Sequence, residues 1–236
     1  MTSKVKLTRE TIAVLKNFVD INQSIVFRKG HTIKTISNAE NILAEYTCEE
    51  DFPQDFAIYD LAQFLNSLAL FDSPFLEFDS EDFVTIRDSR RSVRYYFSDP
   101  EITLKSAPDK SVNFPAPDLE FTISNNDMVS IRKASKDVLR VPDLTFECAN
   151  GDIRLVVRDR ENDTSNNYKQ RVEGSCVEDL QLDLKVENLR LLDVEKAFTD
   201  KEPDESYVFT TRVSKKLISE WTNERLNLKY YIALEP

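Results

Sequence analysis

Two short runs of carboxylates are the side chains best suited to acid–base or metal chemistry in this 236-residue chain. Residues 49–51 read Glu-Glu-Asp, and residues 79–82 read Asp-Ser-Glu-Asp. Adjacent carboxylates can hold a divalent cation or act as an acid–base pair. Both runs are predicted to lie in polar turns between strands, without the spacing or the glycine of a calcium-binding loop. This context favours solvated loops, and a small hydrolase that uses Asp79 or Asp82 is the alternative.

The other catalytic templates lack the residues that they require. His31 is the one histidine and lies in a predicted turn at residues 29–31, so a Ser-His-Asp triad and a histidine-rich zinc site have no support. Three glycines in the whole chain do not make a glycine-rich phosphate loop. We therefore predict a protein that is not an enzyme and that uses no cofactor or metal. Any ATP hydrolysis must belong to a partner.

The cysteines predict a protein without disulfides. Cys48, Cys148 and Cys176 are odd in number, lack CxxC spacing and lie in or beside strand-like runs. Buried free thiols are therefore favoured over a disulfide or a metal site, as in a reducing cytoplasm. The sequence also shows no N-terminal apolar segment of the secretory type and no apolar stretch of membrane-spanning length, so we expect neither secretion nor membrane insertion.

Basic residues at helical spacing could bind phosphate groups. Arg132, Lys136 and Arg140 follow an i, i+4, i+8 spacing, which places them on one helical face if the helix extends that far, with Lys133 one step round. Such residues hold phosphates without reading bases. The competing interpretation is an ordinary solvated helix face. Other basic residues lie on the first and fourth predicted helices: Arg9, Lys16 and Arg190.

The net charge of −11 argues against a bulk nucleic-acid-binding domain, because the deficit is −5 in residues 1–110 and −6 in the remainder. Contact with DNA must come from a local positive stripe on an acidic body. The second predicted helix offers Asp60, Gln63 and Asn66 and no basic residue, so that stripe is unevenly charged.

The elements that position these residues recur in a fixed order. Four times a short alternating strand leads into an amphipathic helix and then into further strands, which is typical of a repeat architecture with a β-α-β-β-β unit. The third helix is predicted to bury Met128, Ile131 and Val138, and the fourth to be a short helix from about Glu187. A polar loop through Pro203 follows it. The strands after the helices are predicted at residues 24–28, 32–37, 41–47, 75–78, 83–87, 92–97, 144–148, 153–158, 168–173, 207–213, 217–222 and 226–234.

A proline-rich run at residues 107–118, APDKSVNFPAPD, separates two strand-rich halves. We predict domains at residues 1–106 and 118–236, joined by an interdomain connector at residues 107–117. This segment is called the connector below.

Several segments resemble the DNA polymerase sliding clamps of T-even-type tailed bacteriophages. They are LTRETIAVLKNFVDINQSIVFRKG at residues 7–30, DFAIYDLAQFLNSLAL at 55–70, VNFPAP at 112–117 and YYIALE at 230–235. The resemblance covers nearly the full length. It implies an α+β clamp fold with two pseudo-symmetric domains, each built from two β-α-β-β-β units, with sheets outside and helices lining a ring.

The resemblance also implies partners and sites. It implies a homotrimer that encircles double-stranded DNA irrespective of sequence and tethers a DNA polymerase. It further implies an ATP-driven clamp loader, contacts with the late-transcription machinery, and the cytoplasm of an infected bacterial host as the place of action. The implied DNA contacts are Arg9, Lys16, Arg132, Lys133, Lys136, Arg140 and Arg190. The implied pocket for a partner peptide comprises Ile36, Ile42, Phe114, Tyr231 and Ala233. The implied subunit interface comprises Arg94, Tyr96, Tyr168, Gln170 and Val172.

The alternative to a clamp is a phage structural ring or tube protein. Such a protein is also β-rich, acidic and oligomeric, but we expect it to stack into long assemblies and to lack a basic inner stripe.

Overall fold

The computed structural model describes residues 3–99, 105–198 and 208–236. The chain packs as two compact units, the first comprising Met1–Lys110 with Leu226–Leu228 and the second Ser111–Arg225 with Lys229–Pro236. Residues 107–110 of the connector thus pack with the first unit and residues 111–117 with the second. The predicted domain bounds and the connector role stay predictions.

The first unit contains two copies of the β-α-β-β-β order. Its elements are β1 (Ser3–Val5), α1 (Arg9–Ile21), β2 (Ile25–Phe27), β3 (Gly30–Ile36), β4 (Ile42–Phe52), β5 (Phe56–Ile58), α2 (Leu61–Leu68), β6 (Phe75–Phe78), β7 (Phe83–Arg87) and β8 (Ser92–Tyr96). Thr8 and Asp60 cap α1 and α2 through side-chain oxygens that accept from Thr11 N and Gln63 N. These caps satisfy amides that have no partner within the helix, so each helix begins where the sequence predicts.

Two antiparallel groups of strands form the sheets of the first unit, in the orders β1-β6-β7-β8 and β5-β2-β3-β4. Their core includes Phe27, Phe52 and Phe56. The Phe27 and Phe56 rings stack with centroids 4.4 Å apart, and the Phe27 and Phe52 rings are tilted at 5.1 Å. Rings at such distances contribute directional contacts beyond simple burial.

The second unit repeats the order with one extra strand and less α-helix. Its elements are β9 (Leu119–Ser124), α3 (Asn125–Lys133), a π-helical segment (Ala134–Leu139), β10 (Asp143–Ala149), β11 (Asp152–Arg158), β12 (Tyr168–Val172), β13 (Gly174–Cys176), β14 (Leu180–Lys185), a 3₁₀ turn (Val186–Asn188), α4 (Val194–Ala197), β15 (Val208–Ser214), β16 (Ile218–Asn223) and β17 (Leu228–Ala233). The predicted loop at Pro203 and the predicted strand start at Tyr207 lie outside the described residues.

The strands of the second unit have the orders β12-β11-β10-β14 and β13-β9-β15-β16-β17. Phe121 and Phe146 surround the fully buried Trp221, with ring centroids about 6 Å away. The extra strand β13 needs glycine at its start, because a Cβ on Gly174 would lie 2.1 Å from the backbone oxygen of Glu120. The predicted α+β class with a repeated β-α-β-β-β order is confirmed in both units.

Two helical predictions for the second unit are wrong. Met128 and Ile131 are buried, but Val138 is 65% exposed, because the chain changes from α to π at Ala134 and no longer presents every fourth residue to the core. The fourth predicted helix, from about Glu187, is instead the 3₁₀ turn followed by the four-residue helix α4.

Three local predictions in loops and cysteines are also corrected. Gly30 and His31 belong to β3 and not to a turn. Residues 49–51 lie within β4 and not in a loop, whereas residues 79–82 do lie between β6 and β7. Cys148 and Cys176 form a disulfide, because β13 brings Cys176 to the end of β10 with a Cα separation of 6.7 Å. Cys48 is a free, buried thiol as predicted.

Candidate nucleic-acid and partner interfaces

The basic residues of α1 project from a helix that is fixed by a buried carboxylate. Arg9 and Lys16 are exposed, whereas Val14, Leu15 and Phe18 on the other side are fully buried. Glu50 of β4, which is 6% exposed, accepts hydrogen bonds from Thr8 N at 2.5 Å and from Thr11 Oγ1 at 2.7 Å.

Glu50 therefore supplements the Thr8 cap from a strand that is about forty residues away in the chain. A carboxylate at a helix N-terminus is also favoured by the helix dipole. Tyr46 completes the cluster, with its hydroxyl 3.1 Å from Thr11 Oγ1. Burial raises the pKa of Tyr46 to about 12. The cluster holds the start of α1, and hence Arg9, in place.

The basic residues of α3 and the following segment do not form the single stripe that their spacing predicts. The helix is α through Lys133 and π from Ala134, and it ends at Arg140 in the left-handed region with φ of 56°. Residues four apart do not lie above one another in an i→i+5 helix. Lys133, Lys136 and Arg140 are all exposed, but on a changing face.

Arg132 and Arg190 are engaged within the second unit. Arg132 Nη2 donates to the carbonyl oxygen of Leu191 at 3.0 Å, and Arg190 Nε donates to that of Glu187 at 3.1 Å. Leu192 N donates to the hydroxyl of Tyr230, whose pKa is raised by burial. Arg132 thus serves as a structural brace between α3 and the segment after the 3₁₀ turn.

Helix α2 carries no basic residue, as its sequence shows. Gln63 and Asn66 are exposed and Asp60 is the N-cap. The hydroxyl of Tyr95 donates to Asp60 O at 3.1 Å, which ties α2 to β8. The helical segments in the described ranges therefore differ in the positive charge that they present.

The predicted interface residues lie on terminal strands. Among the described residues β8 pairs with β7 alone, and β12 pairs with β11 alone. On β8, Tyr96 is 61% exposed and the Arg94 guanidinium lies 4.4 Å from the centre of the Phe83 ring. On β12, the Tyr168 hydroxyl donates to Gln170 Oε1 at 3.0 Å, and Val172 is buried. Both strands offer one edge for pairing with another chain.

The predicted pocket residues differ in their accessibility. Ala233 is exposed, Ile36 and Phe114 are half-buried, and Tyr231 and Ile42 are 7% and 1% exposed. Ile36 and Ile42 belong to the first unit and the other three to the second. A peptide cannot reach the buried Ile42 in this conformation. The grouping of the five residues into one pocket stays a prediction.

Sequence reasoning missed Arg212, which supports Phe114. The Arg212 Cζ atom lies 4.9 Å from the centre of the Phe114 ring, and its nitrogen atoms bind Glu120 and Glu220. Arg212 lies between two buried residues of β15, so its place in the strand alternation is the one local sign that it faces outward. Nothing in the sequence links residue 114 to residue 212.

The acidic runs show no arrangement suited to metal binding. Glu50 accepts hydrogen bonds from the start of α1. Residues 79–82 form a loop in which the backbone carbonyl oxygen of Ser80 accepts from Gln54 Nε2 at 3.2 Å. No group of three or more histidine, cysteine, aspartate or glutamate side chains in the described ranges could hold a metal ion. In the same ranges, no helix combines the length and the apolar composition that spanning a bilayer requires.

Comparison with known proteins gives a consistent result. The profile of the DNA polymerase processivity factor family matches residues 6–99. The sliding clamp of Vibrio phage KVP40 is 31% identical over 195 residues, which are 80% of this chain and 87% of that protein. The sliding clamp of Enterobacteria phage T4 is 32% identical over 133 residues, which are 56% and 58% of the two chains.

The fold also matches solved structures. The proliferating cell nuclear antigen of Entamoeba histolytica superposes with a TM-score of 0.72 at 13% identity, covering 100% of this chain and 98% of that one. Identity at this level shows a common fold alone. The predicted clamp fold is confirmed.

Proposed function

The chain belongs to the sliding clamp family of DNA polymerase processivity factors, and on that premise we propose that three copies close into a ring around duplex DNA and tether the replicative polymerase. The observation that carries the proposal is the placement of two different accessible edges, β8 in the first unit and β12 in the second. Pairing between unlike edges is head-to-tail and closes into a ring when the rotation permits.

The edge residues support a specific joint. Arg94 and Tyr96 of one subunit meet Tyr168, Gln170 and Val172 of the next. The amide of Phe97 donates to Asp82 O on the β7 side, so by strand alternation the amide of Tyr96 faces the open edge. Pairing satisfies this amide and removes an edge that otherwise favours aggregation.

The inner wall of this ring holds DNA loosely. Arg9, Lys16, Lys133, Lys136, Arg140 and Arg190 are exposed and contact phosphates, with Arg132 behind them as a brace. Such contacts carry no sequence information, which suits movement along DNA. The net charge of −11 is compatible with this role, because topological linkage replaces high affinity and an acidic exterior limits non-specific binding.

A partner peptide docks at Phe114, Tyr231 and Ala233, with Ile36 and Ile42 of the first unit completing the pocket after side-chain movement. Aromatic residues at such a site supply rigid contact area. The partners are the replicative polymerase, an ATP-driven clamp loader and late-transcription factors, in the cytoplasm of the infected bacterium. The protein itself acts without catalysis or cofactor.

The test combines assembly with activity. Size-exclusion chromatography with light scattering measures the mass in solution, where we expect three times the mass of the 27.3 kDa chain. Primer extension by the phage polymerase on a singly primed circular template, with clamp loader and ATP, measures processivity. Long stacked assemblies without any effect on the polymerase would indicate the structural ring or tube protein instead.

A further inference from the structure

We propose that Arg212 is a positioning residue for partner capture, because its guanidinium packs against Phe114 and so supports the second half of the connector. The proposal builds on the partner pocket under the proposed function. Arg212 itself lies outside the predicted pocket, and its role is to hold the side chain of Phe114 inside that pocket.

Arg212 is itself held in place by two carboxylates. It lies on β15 between β9 and β16, in register with Glu120 on one side and Glu220 on the other. Nη1 lies 2.9 Å from Glu220 Oε1, and Nε lies 3.3 Å from Glu120 Oε1. Glu220 is 5% exposed, so its charge must be paired, and the pairing orients the guanidinium.

The oriented guanidinium presents a plane to the connector. The Phe114 ring centre lies 4.9 Å from Arg212 Cζ, within the range of cation–π attraction. Arginine is suited to this role because its planar group can bind carboxylates at its edge and an aromatic ring on its face at the same time. Lysine keeps the charge but offers no such plane.

A second anchor fixes the other end of the same segment. Asp118 N donates to Val213 O at 2.9 Å, and the Asp118 carboxylate accepts from Ser214 Oγ at 3.1 Å and from Lys215 N at 2.8 Å. Residues 114–118 are therefore attached to β15 at two points. Pro115 and Pro117 between these points restrict the backbone.

Arg212 belongs to a row of residues that runs across neighbouring strands to Tyr231 of the predicted pocket. Leu234 N donates to Leu217 O, which in the antiparallel hairpin of β16 and β17 places Tyr231 opposite Glu220. Glu120, Arg212, Glu220 and Tyr231 thus lie in one row across four strands. In this row Glu220 lies between Arg212, which contacts Phe114, and Tyr231 of the last strand.

The test is a double-mutant cycle with Arg212→Lys and Phe114→Leu. The probe is a synthetic peptide with the carboxy-terminal sequence of the phage polymerase, and its Kd is measured by isothermal titration calorimetry. We expect Arg212→Lys to raise the Kd about fivefold and to have no further effect in the Phe114→Leu background. An equal effect in both backgrounds overturns the proposal, because Arg212 then acts on the peptide directly.

NMR order parameters of the backbone amides of residues 111–114 in the free protein are the second readout. We expect lower order parameters in Arg212→Lys and unchanged values in the matched control Arg154→Lys, a half-buried arginine paired with Asp152. Unchanged order parameters in Arg212→Lys overturn the positioning role even where peptide affinity falls. If the wild-type protein does not bind the peptide, the partner pocket fails, and the order parameters still decide whether Arg212 fixes the connector.

Discussion

The first helices of the two units start alike and end differently. Both follow a strand and a capping hydroxyl, Thr8 for α1 and Ser124 for α3. Helix α1 then runs regularly for 13 residues, whereas α3 is α-helical for nine and continues as a π-helical segment. Residue spacing therefore defines a face on α1, where Arg9 and Lys16 lie two turns apart, and does not define one after Lys133. A basic stripe can therefore be inferred from residue spacing only where the helix type is known.

The largest expected effect concerns assembly and tests whether the edge strands β8 and β12 are equally required for it. Proline at Tyr96 of β8 or at Arg171 of β12 removes a backbone donor from the open edge of a strand, where proline is structurally tolerated. We expect either Tyr96→Pro or Arg171→Pro alone to convert the proposed trimer to monomers, because each proposed joint uses one edge of each kind. Light scattering on a size-exclusion column measures the mass.

Tyr96→Ala and Arg171→Ala are the controls for these edge variants. They keep the amide, so a trimer that persists in them assigns the effect to backbone pairing. A trimer that survives both proline variants contradicts the assignment of β8 and β12 as subunit edges.

The side-chain hydrogen bonds of Glu50 at α1 and of Ser135 after α3 are expected to contribute unequally to stability. Glu50→Ala removes the acceptor for Thr8 N and leaves Tyr46 as the remaining acceptor for the buried Thr11 Oγ1, so we expect the free energy of unfolding to fall by about 1–3 kcal/mol. Ser135→Ala, which removes one bond to Val141 O, is expected to cost about 1 kcal/mol. Urea denaturation at a fixed protein concentration measures both, and a larger loss for Ser135→Ala contradicts this ranking.

Charge removal distinguishes the two basic surfaces. Replacing Lys133, Lys136 and Arg140 together by glutamine is expected to reduce the slope of log K against log salt for duplex DNA by up to about 2.7, or about 0.9 for each phosphate that is no longer neutralised. Replacing Arg9 and Lys16 is expected to reduce it by up to about 1.8. Fluorescence anisotropy with a short duplex at several salt concentrations measures the slopes.

Arg132→Gln is the informative comparison for this experiment. Its guanidinium is bonded to Leu191 O, so we expect lower thermal stability and an unchanged salt slope. A drop of about 0.9 in the slope assigns Arg132 to the DNA-binding residues instead. Unchanged slopes in the triple and double variants return those residues to ordinary solvated faces.

The smallest effect concerns the cysteines. Burial raises the pKa of Cys48 to about 12, so at pH 8 almost none of this thiol is in the reactive thiolate form. Without reductant we expect iodoacetamide to label no cysteine in the folded protein and Cys48 alone after unfolding in denaturant. Mass spectrometry counts the labels. Labelling of Cys148 and Cys176 in the unreduced, unfolded chain contradicts their disulfide.

Most of the fold follows from local patterns. The strands Phe75–Phe78 and Phe83–Arg87 have the predicted bounds, because alternation and flanking polar residues define them, and α2 begins directly after its Asp60 cap. The π-helical segment was not predictable from periodicity. It depends on Ser135, whose carbonyl and hydroxyl bond Val141 N and Val141 O after the chain has turned at Arg140.

The candidate sites were predictable in part, for reasons of distance along the chain. The terminal position of β8 and β12 agrees with the predicted interface residues, because strand order follows from hairpin succession. The roles of Glu50 and Arg212 depend on partners about 40 and 98 residues away, and no local signal reports such pairs. The same applies to Cys148 and Cys176, which are brought together by the unforeseen strand β13.

The direction in which Arg140 points depends on the number of residues in the π-helical segment that precedes it. Each residue of a helix turns the chain by a fixed angle, about 100° in an α-helix and less in a π-helix, so the insertion or deletion of one residue within Ala134–Leu139 changes the direction of the residues from there to the helix end at Arg140. Residues 136–138 are exposed, and such a change there spares the buried Ala134 and Ser135. An evolving lineage can therefore redirect Arg140 through a single-codon insertion or deletion, without a substitution at any other position of the segment.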